Sequence, residues 1–201
     1  MASVFQFSAD RHLYQHDGQI VPSVTQVLAL AAITDVSGIP LYYLERAAAI
    51  GTAVHQACEF LDQDDLELDS LDESIVGYVL GYQRFREEHE FVPEAIERRG
   101  VATSCGLRFG YCVDRIGTMD GKRVLLDIKT SSKRQPSWAI QTAAYADAEQ
   151  HEGERLVVHV AKDGTYKLIR YDQDADFSIW LAALHVAHWR LANGAKLKEL
   201  R

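Results

Sequence analysis

Three residues stand out against apolar surroundings: Asp114 in FGYCVDRIG, and Asp127 and Lys129 in VLLDIKTS at 124–131. Residues two apart on a strand share a face, so Asp127 and Lys129 project to the same side of a segment that otherwise reads as buried. Burying charge is costly unless the charge is paired or bound to metal. The segment therefore holds either a structural ion pair or a site. Asp114 lies thirteen residues upstream of Asp127 in a second apolar stretch, and MDGK at 119–122 supplies a tight turn between the two. The two strands then pair as a hairpin, and two carboxylates on adjacent strands can converge on one divalent cation. Mg²⁺ favours such hard oxygen ligands, together with water and substrate phosphate. A lysine beside it can orient or help deprotonate an attacking water and offset phosphate charge. That chemistry suits hydrolysis of a phosphodiester.

The D-x12-D-I-K pattern resembles the PD-(D/E)XK nuclease superfamily, with Val113 in place of the nominal proline. Further segments resemble its RecB-like and phage-type exonuclease branch, which includes the mitochondrial genome maintenance exonuclease. GTAVH at 51–55 matches a Gly-Thr-x-x-His helix, and Glu97 stands where the branch often carries an acid. Gln141 and Tyr145 match a Gln-x-x-x-Tyr pair, and VPSVTQVL at 21–28 matches a Pro-Ser-Val-Thr segment. The resemblance covers about residues 12–146. It implies that His55, Asp114 and Asp127 hold Mg²⁺ or Mn²⁺, with the Ile128 carbonyl a further candidate ligand. It implies that Lys129 assists the water and that Gln141 and Tyr145 align the substrate. Glu97 is a candidate site member, with pairing to Arg98, Arg99 or Arg115 as the alternative. Glu59 lies one helical turn beyond His55 and reads as a neighbour of the site or as part of an acidic run.

The implied function is a metal-dependent deoxyribonuclease, an exonuclease on free ends or single strands, in phage-type DNA replication, recombination or repair. Its implied partners are DNA and a recombination or replication protein. Three alternatives stay open: an endonuclease with the same site, a catalytically silent DNA- or protein-binding relative, and an interaction protein that uses its acidic segment. Lys133 and Arg134, just past the lysine strand, are candidates to contact backbone phosphates. Trp138 is a candidate to stack a base, with a core aromatic as the alternative.

The chain has 201 residues and a net charge of −8, which at first argues against a polyanionic substrate. All of that excess lies in 59–73, where eight acids meet no Lys or Arg. This run reads as a solvated loop. The stretch 98–134 has a local charge of +6. The total therefore excludes little, although 47% hydrophobic and 25% charged content excludes wholesale disorder. Three cysteines cannot build a four-thiolate iron–sulfur cluster within one chain. No run approaches the roughly 18 apolar residues of a membrane span. With no secretory pattern at its start, the expectation is a cytoplasmic protein with no membrane partner. The oligomeric state is left open.

The elements that must position these residues read as follows. A hairpin or small meander over 3–21 turns at Asp17-Gly18. A helix follows, capped by Ser23 and broken by Gly38 and Pro40. LYYLERAAAIGTAVHQACEFL forms one or two helices, with Gly51-Thr52 as a possible interruption, and a further helix carries Ile75, Val79, Tyr82 and Phe85. Strands at Glu94–Val101, Leu107–Ile116 and Arg123–Thr130 precede a helix with Pro136 near its start and Ser137 as cap. A hairpin over 155–171 turns at Asp163-Gly164, and a last amphipathic helix stops at Asn193-Gly194. The fold class is α/β (α+β): a restriction-endonuclease-like core with a small mixed sheet flanked by helices, an N-terminal hairpin and a helical extension. The expected organisation is a single nuclease domain over 1–201. It divides into N-terminal hairpin and helices (1–50), catalytic core (51–171) and C-terminal helix (172–201).

Overall fold

The computed structural model describes residues 5–8 and 13–197. Of the expected hairpin over 3–21, residues 3, 4 and 9–12 lie outside the described residues, as do the two ends of the chain. The rest is an antiparallel meander of β1 (Phe5–Ser8), β2 (Leu13–His16) and β3 (Gln19–Val21). Asp17 and Gly18 both take the left-handed conformation that a two-residue hairpin turn requires.

Helix α1 (Val24–Leu30) starts with a reciprocal cap. Ser23 Oγ accepts the Gln26 N–H at 3.2 Å, and Gln26 Oε1 accepts the Ser23 N–H at 2.9 Å. The helix ends well before Gly38 and Pro40. Ala32 adopts φ 57°, and the Ile33 N–H then reaches back to the Leu28 carbonyl at 2.9 Å. A left-handed alanine thus provides the stop that glycine usually supplies.

Helix α2 (Leu41–Asp62) runs unbroken through Gly51-Thr52, and α3 (Val76–Glu88) follows. Strands β4 (Val92–Ser104), β5 (Leu107–Met119) and β6 (Lys122–Lys129) are longer than expected or shifted by a residue. Helix α4 (Ser137–Glu149) begins after Pro136, and Ser137 is its first residue, not its cap. Then come β7 (Glu154–Val160), β8 (Tyr166–Tyr171) and α5 (Asp174–Ala192), which ends at Asn193-Gly194.

These five strands form one mixed sheet in sequence order, β4-β5-β6-β7-β8, in which only β6 and β7 are parallel. A parallel pair needs a crossover, and α4 provides it. Val27 and Leu28 of α1, Ile140 and Ala144 of α4, and Trp180 and Leu184 of α5 pack with Leu125 on one side. Val54 and Cys58 of α2, with Val79, Tyr82 and Phe85 of α3, pack with Val124, Leu126 and Ile128 on the other. The period of two along β6 therefore places Asp127 on the α4 side. This is a restriction-endonuclease-like α/β architecture. Among the described residues, no helix is long and apolar enough to cross a membrane.

Gly77 shows how closely α3 approaches the β7–β8 turn. A Cβ there would sit 1.8 Å from the Lys162 carbonyl oxygen, and backbone cannot swing aside as a flexible side chain can. Gly77→Ala should lower unfolding free energy by about 1–3 kcal/mol in urea titrations. An unchanged midpoint would mean that the turn gives way freely.

Candidate active site

The β5–β6 hairpin turns through Asp120 (φ 50°) and Gly121 (φ 74°), which sets its register. Pairing runs from Met119↔Lys122 to Arg115↔Leu126, so Asp114 and Asp127 occupy the next rung on neighbouring strands. Asp114 Oδ2 accepts the Ile128 N–H at 2.7 Å, which ties its carboxylate to the second strand. Lys129 Nζ lies 2.6 Å from Asp127 Oδ2. At that distance the ammonium and the carboxylate form a direct, charge-assisted pair. Asp127 is 1% exposed and Asp114 7%.

Helix α2 brings in His55. Its Nε2–H donates to the Ile128 carbonyl at 3.0 Å, since a carbonyl can only accept. The other nitrogen, Nδ1, then faces Asp114 Oδ1 at 3.5 Å and Glu97 Oε1 at 3.7 Å. Helix α4 adds Gln141, whose Nε2 donates to the Tyr145 hydroxyl at 2.7 Å. That leaves the Tyr145 O–H proton to be donated elsewhere.

Glu97 sits in mid-strand with φ 48°. Pairing resumes on either side, at Ile96↔Arg115 and Arg98↔Val113, which sets Glu97 opposite Asp114. A left-handed glutamate costs about 1–3 kcal/mol and persists only where its surroundings hold it. Here Oε2 accepts from Arg99 Nη2 at 2.8 Å and from Cys112 Sγ at 3.2 Å. Oε1 is buried without a hydrogen-bond donor.

These side chains line a cleft of about 650 Å³ that also includes Ser23, Thr52 and Glu59. A larger cleft of about 1120 Å³ opens at the start of β6 and β7, beside Arg123 and Arg155. It contains none of these residues, so size does not mark the site here.

Proximity shapes the charges. Burial alone would raise the Asp114 carboxyl, but His55, Lys129 and the Ile128 N–H outweigh it and hold it near 2. Burial pushes Asp127 up to about 6, with Lys129 opposing and Asp114 adding to the rise. Burial pulls His55 down, yet Asp114 and Glu97 prevail and lift it to about 10. Burial, then Asp127 and Asp114, carry the Tyr145 hydroxyl well above its ordinary 10, so it stays a neutral donor. The two aspartates thus respond oppositely to one shared field, a pattern that clusters at functional sites.

The structure brings His55, Glu97, Asp114, Asp127, Ile128, Lys129, Gln141 and Tyr145 together. It does not bring in the other three candidates. Lys133 is exposed beyond the lysine strand. Arg134 lies over the Tyr171 ring at 5.2 Å and lines a separate cleft with His159 and Lys167. Trp138 is 4% exposed and packs on Val157 and Tyr171, so it is a core aromatic with no free face for a base.

The acidic run 59–73 reads as a solvated loop, with Glu59 open to a place beside the site. The Asp62 side chain is instead fully buried against Arg115 and Arg86, and Glu59 reaches the cleft. The available signal was helical phase, because Asp62 falls two turns after His55 on one face of α2.

The family model for the PD-(D/E)XK nuclease superfamily matches residues 61–185. The chain belongs to this superfamily. Similar solved structures include SSO0001, with a TM-score of 0.38, 14% identity, and coverage of 74% of this chain and 76% of that one. Another is LHK-Exo in complex with dAMP, with a TM-score of 0.47, 14% identity, and coverage of 86% and 88%. No curated protein matches the sequence.

Membership makes the chain a metal-dependent nuclease, and the cleft can be tested for that metal. One ligand atom from each of His55, Glu97 and Asp114 lies within 4.8 Å of the others. Two oxygens and an imidazole nitrogen suit a divalent cation, and the orphaned Glu97 Oε1 gains a partner if one binds. The residues therefore fit the metal. Glu97 joins this group, while the Asp127 carboxylate is engaged by Lys129.

Proposed function

We propose that this PD-(D/E)XK nuclease is a Mg²⁺- or Mn²⁺-dependent deoxyribonuclease, an exonuclease acting on free ends or single strands. The reading treats 1–201 as one nuclease domain that serves phage-type replication, recombination or repair. The observation that carries it is the convergence of two buried aspartates, His55 and Glu97 beside Lys129 in one cleft.

His55, Glu97 and Asp114 would hold the cation, with Asp127 and the Ile128 carbonyl at its edge. Bound there, the metal supplies Lewis-acid polarisation of the scissile phosphate and a more acidic water. Lys129 places a positive charge beside Asp127, where it can orient the attacking water and offset charge on the phosphate. Tyr145 donates its free O–H to a phosphate oxygen, held in place by Gln141. Lys133 and Arg134 would meet the backbone further along the strand and make binding salt-dependent.

Digestion of end-labelled linear and closed circular DNA, with Mg²⁺, Mn²⁺ or EDTA, tests this reading. Linear DNA should be degraded only with metal, and circles should survive. Efficient cutting of circles would make the enzyme an endonuclease of the same chemistry. No metal-dependent cleavage of either would overturn the proposal.

The raised His55 adds a pH signature. In the metal-free protein its protonated form is favoured by folding. That contribution is fully present below about pH 6.5 and is lost as pH rises towards about 10. A cation that takes Nδ1 must displace this proton, so Mn²⁺ affinity should climb up to about tenfold per pH unit between pH 7 and 9. Calorimetry across that range should show the slope, and His55→Asn should flatten it. A slope unchanged by His55→Asn would remove His55 from the ligand set.

A further inference from the structure

Directly after Asp114 on β5 comes Arg115, whose side chain is 0% exposed. Its Nε pairs with Asp62 Oδ2 from the end of α2. Its Nη1 donates to the Asp114 carbonyl at 2.6 Å and lies 3.6 Å from Glu97 Oε1. Asp62 is as fully buried, and it also takes Arg86 Nε at 3.2 Å and the Tyr82 hydroxyl at 3.0 Å from α3. The cluster thus joins α2, α3, β4 and β5 behind the cleft.

Stability alone is a poor reason for this pair. A buried guanidinium and carboxylate lose so much hydration that an apolar pair of similar volume often serves as well or better. Arg115 Nη2 is moreover buried with no partner, so the fork is not fully satisfied even here. An apolar pair could not bond the Asp114 carbonyl or face Glu97 Oε1. Glu97 needs such a neighbour, because its left-handed backbone aims a carboxylate into a buried space where Arg99 and Cys112 engage only Oε2.

We propose that Arg115 is a positioning residue for the cation-binding group. It fixes the Asp114 backbone and the Glu97 carboxylate, and Asp62 is the counter-charge that keeps it buried. The inference rests on the reading of His55, Glu97 and Asp114 as cation ligands. It also gives one acid of the acidic segment a role: α2 delivers His55 to the site and, two turns later, Asp62 to the arginine behind it.

Removing one charge alone would strand the other, so the test uses two conservative routes. Asp62→Leu with Arg115→Met replaces the pair by apolar groups. Arg115→Lys keeps the charge but loses the fork that bonds Asp62 and the Asp114 carbonyl while facing Glu97. Mn²⁺ binding by calorimetry and the metal-free thermal midpoint are measured for both variants and for the wild-type chain. The double variant should melt within a few degrees of wild type yet bind Mn²⁺ about 10–100-fold more weakly. Arg115→Lys should also bind more weakly than wild type. Wild-type Mn²⁺ affinity in either folded variant overturns the positioning role. A wild-type chain that binds no Mn²⁺ overturns both this inference and the ligand reading. One that binds Mn²⁺ without cutting DNA overturns the substrate alone.

Discussion

Asp114→Asn is expected to lower metal-dependent DNA cleavage by about 10²–10³-fold or more while the protein stays folded. The carboxylate has two duties that the substitution separates. Its Oδ2 accepts the Ile128 N–H, and an asparagine oxygen can still do so. Its Oδ1 faces His55 Nδ1 within the cation-binding group, and there the amide brings neither the charge nor an equal ligand. Asp114 is also the main cause of the raised His55, so the pH slope of Mn²⁺ binding should shrink in the same variant. End-labelled DNA digestion and calorimetry on one preparation would read both effects. Wild-type turnover in Asp114→Asn would remove the residue from the site.

Lys129→Met is expected to reduce turnover by about 10²–10⁴-fold at saturating Mn²⁺, with Mn²⁺ binding retained. Lys129 is the cation beside Asp127, which is 1% exposed. Without it the metal-free protein should lose stability, or Asp127 should take up a proton, in line with its upward shift to about 6. A purely structural ion pair would behave differently, because neutralising both partners would restore function. Asp127→Asn with Lys129→Met should therefore remain inactive. Recovery of cleavage in that double variant would reduce Lys129 to a structural role.

Much of this site could be read along the chain because local rules govern it. The Asp120-Gly121 turn determines how β5 meets β6, and the two-residue period of β6 puts Asp127 and Lys129 on one side. The four-residue spacing of Gln141 and Tyr145 made them neighbours on α4, and they are hydrogen-bonded. Ser23 caps α1 through the Gln26 three residues on, another short-range event.

Where the reading fell short, the deciding contact lay far away in sequence. Base stacking stayed open for Trp138 beside a core role, because nothing near it in the chain shows that β7 and β8 cover it. Asp62 looked solvated because its neighbours are acids, yet Arg115 and Arg86 arrive from 53 and 24 positions away. Gly38 and Pro40 looked like the end of α1, but a left-handed Ala32 ends it earlier.

The sequence by itself determined the family, the hairpin that sets Asp114 beside Asp127, and the helices that carry His55, Gln141 and Tyr145. Those follow from turn geometry and side-chain period, which act over a few residues. Only the tertiary structure decided the company each charge keeps. It swung Glu97 into the His55–Asp114 group and sank Asp62 and Arg115 behind the cleft. Burial and pairing are set jointly by packed elements, and an ionisable group's chemistry depends on both.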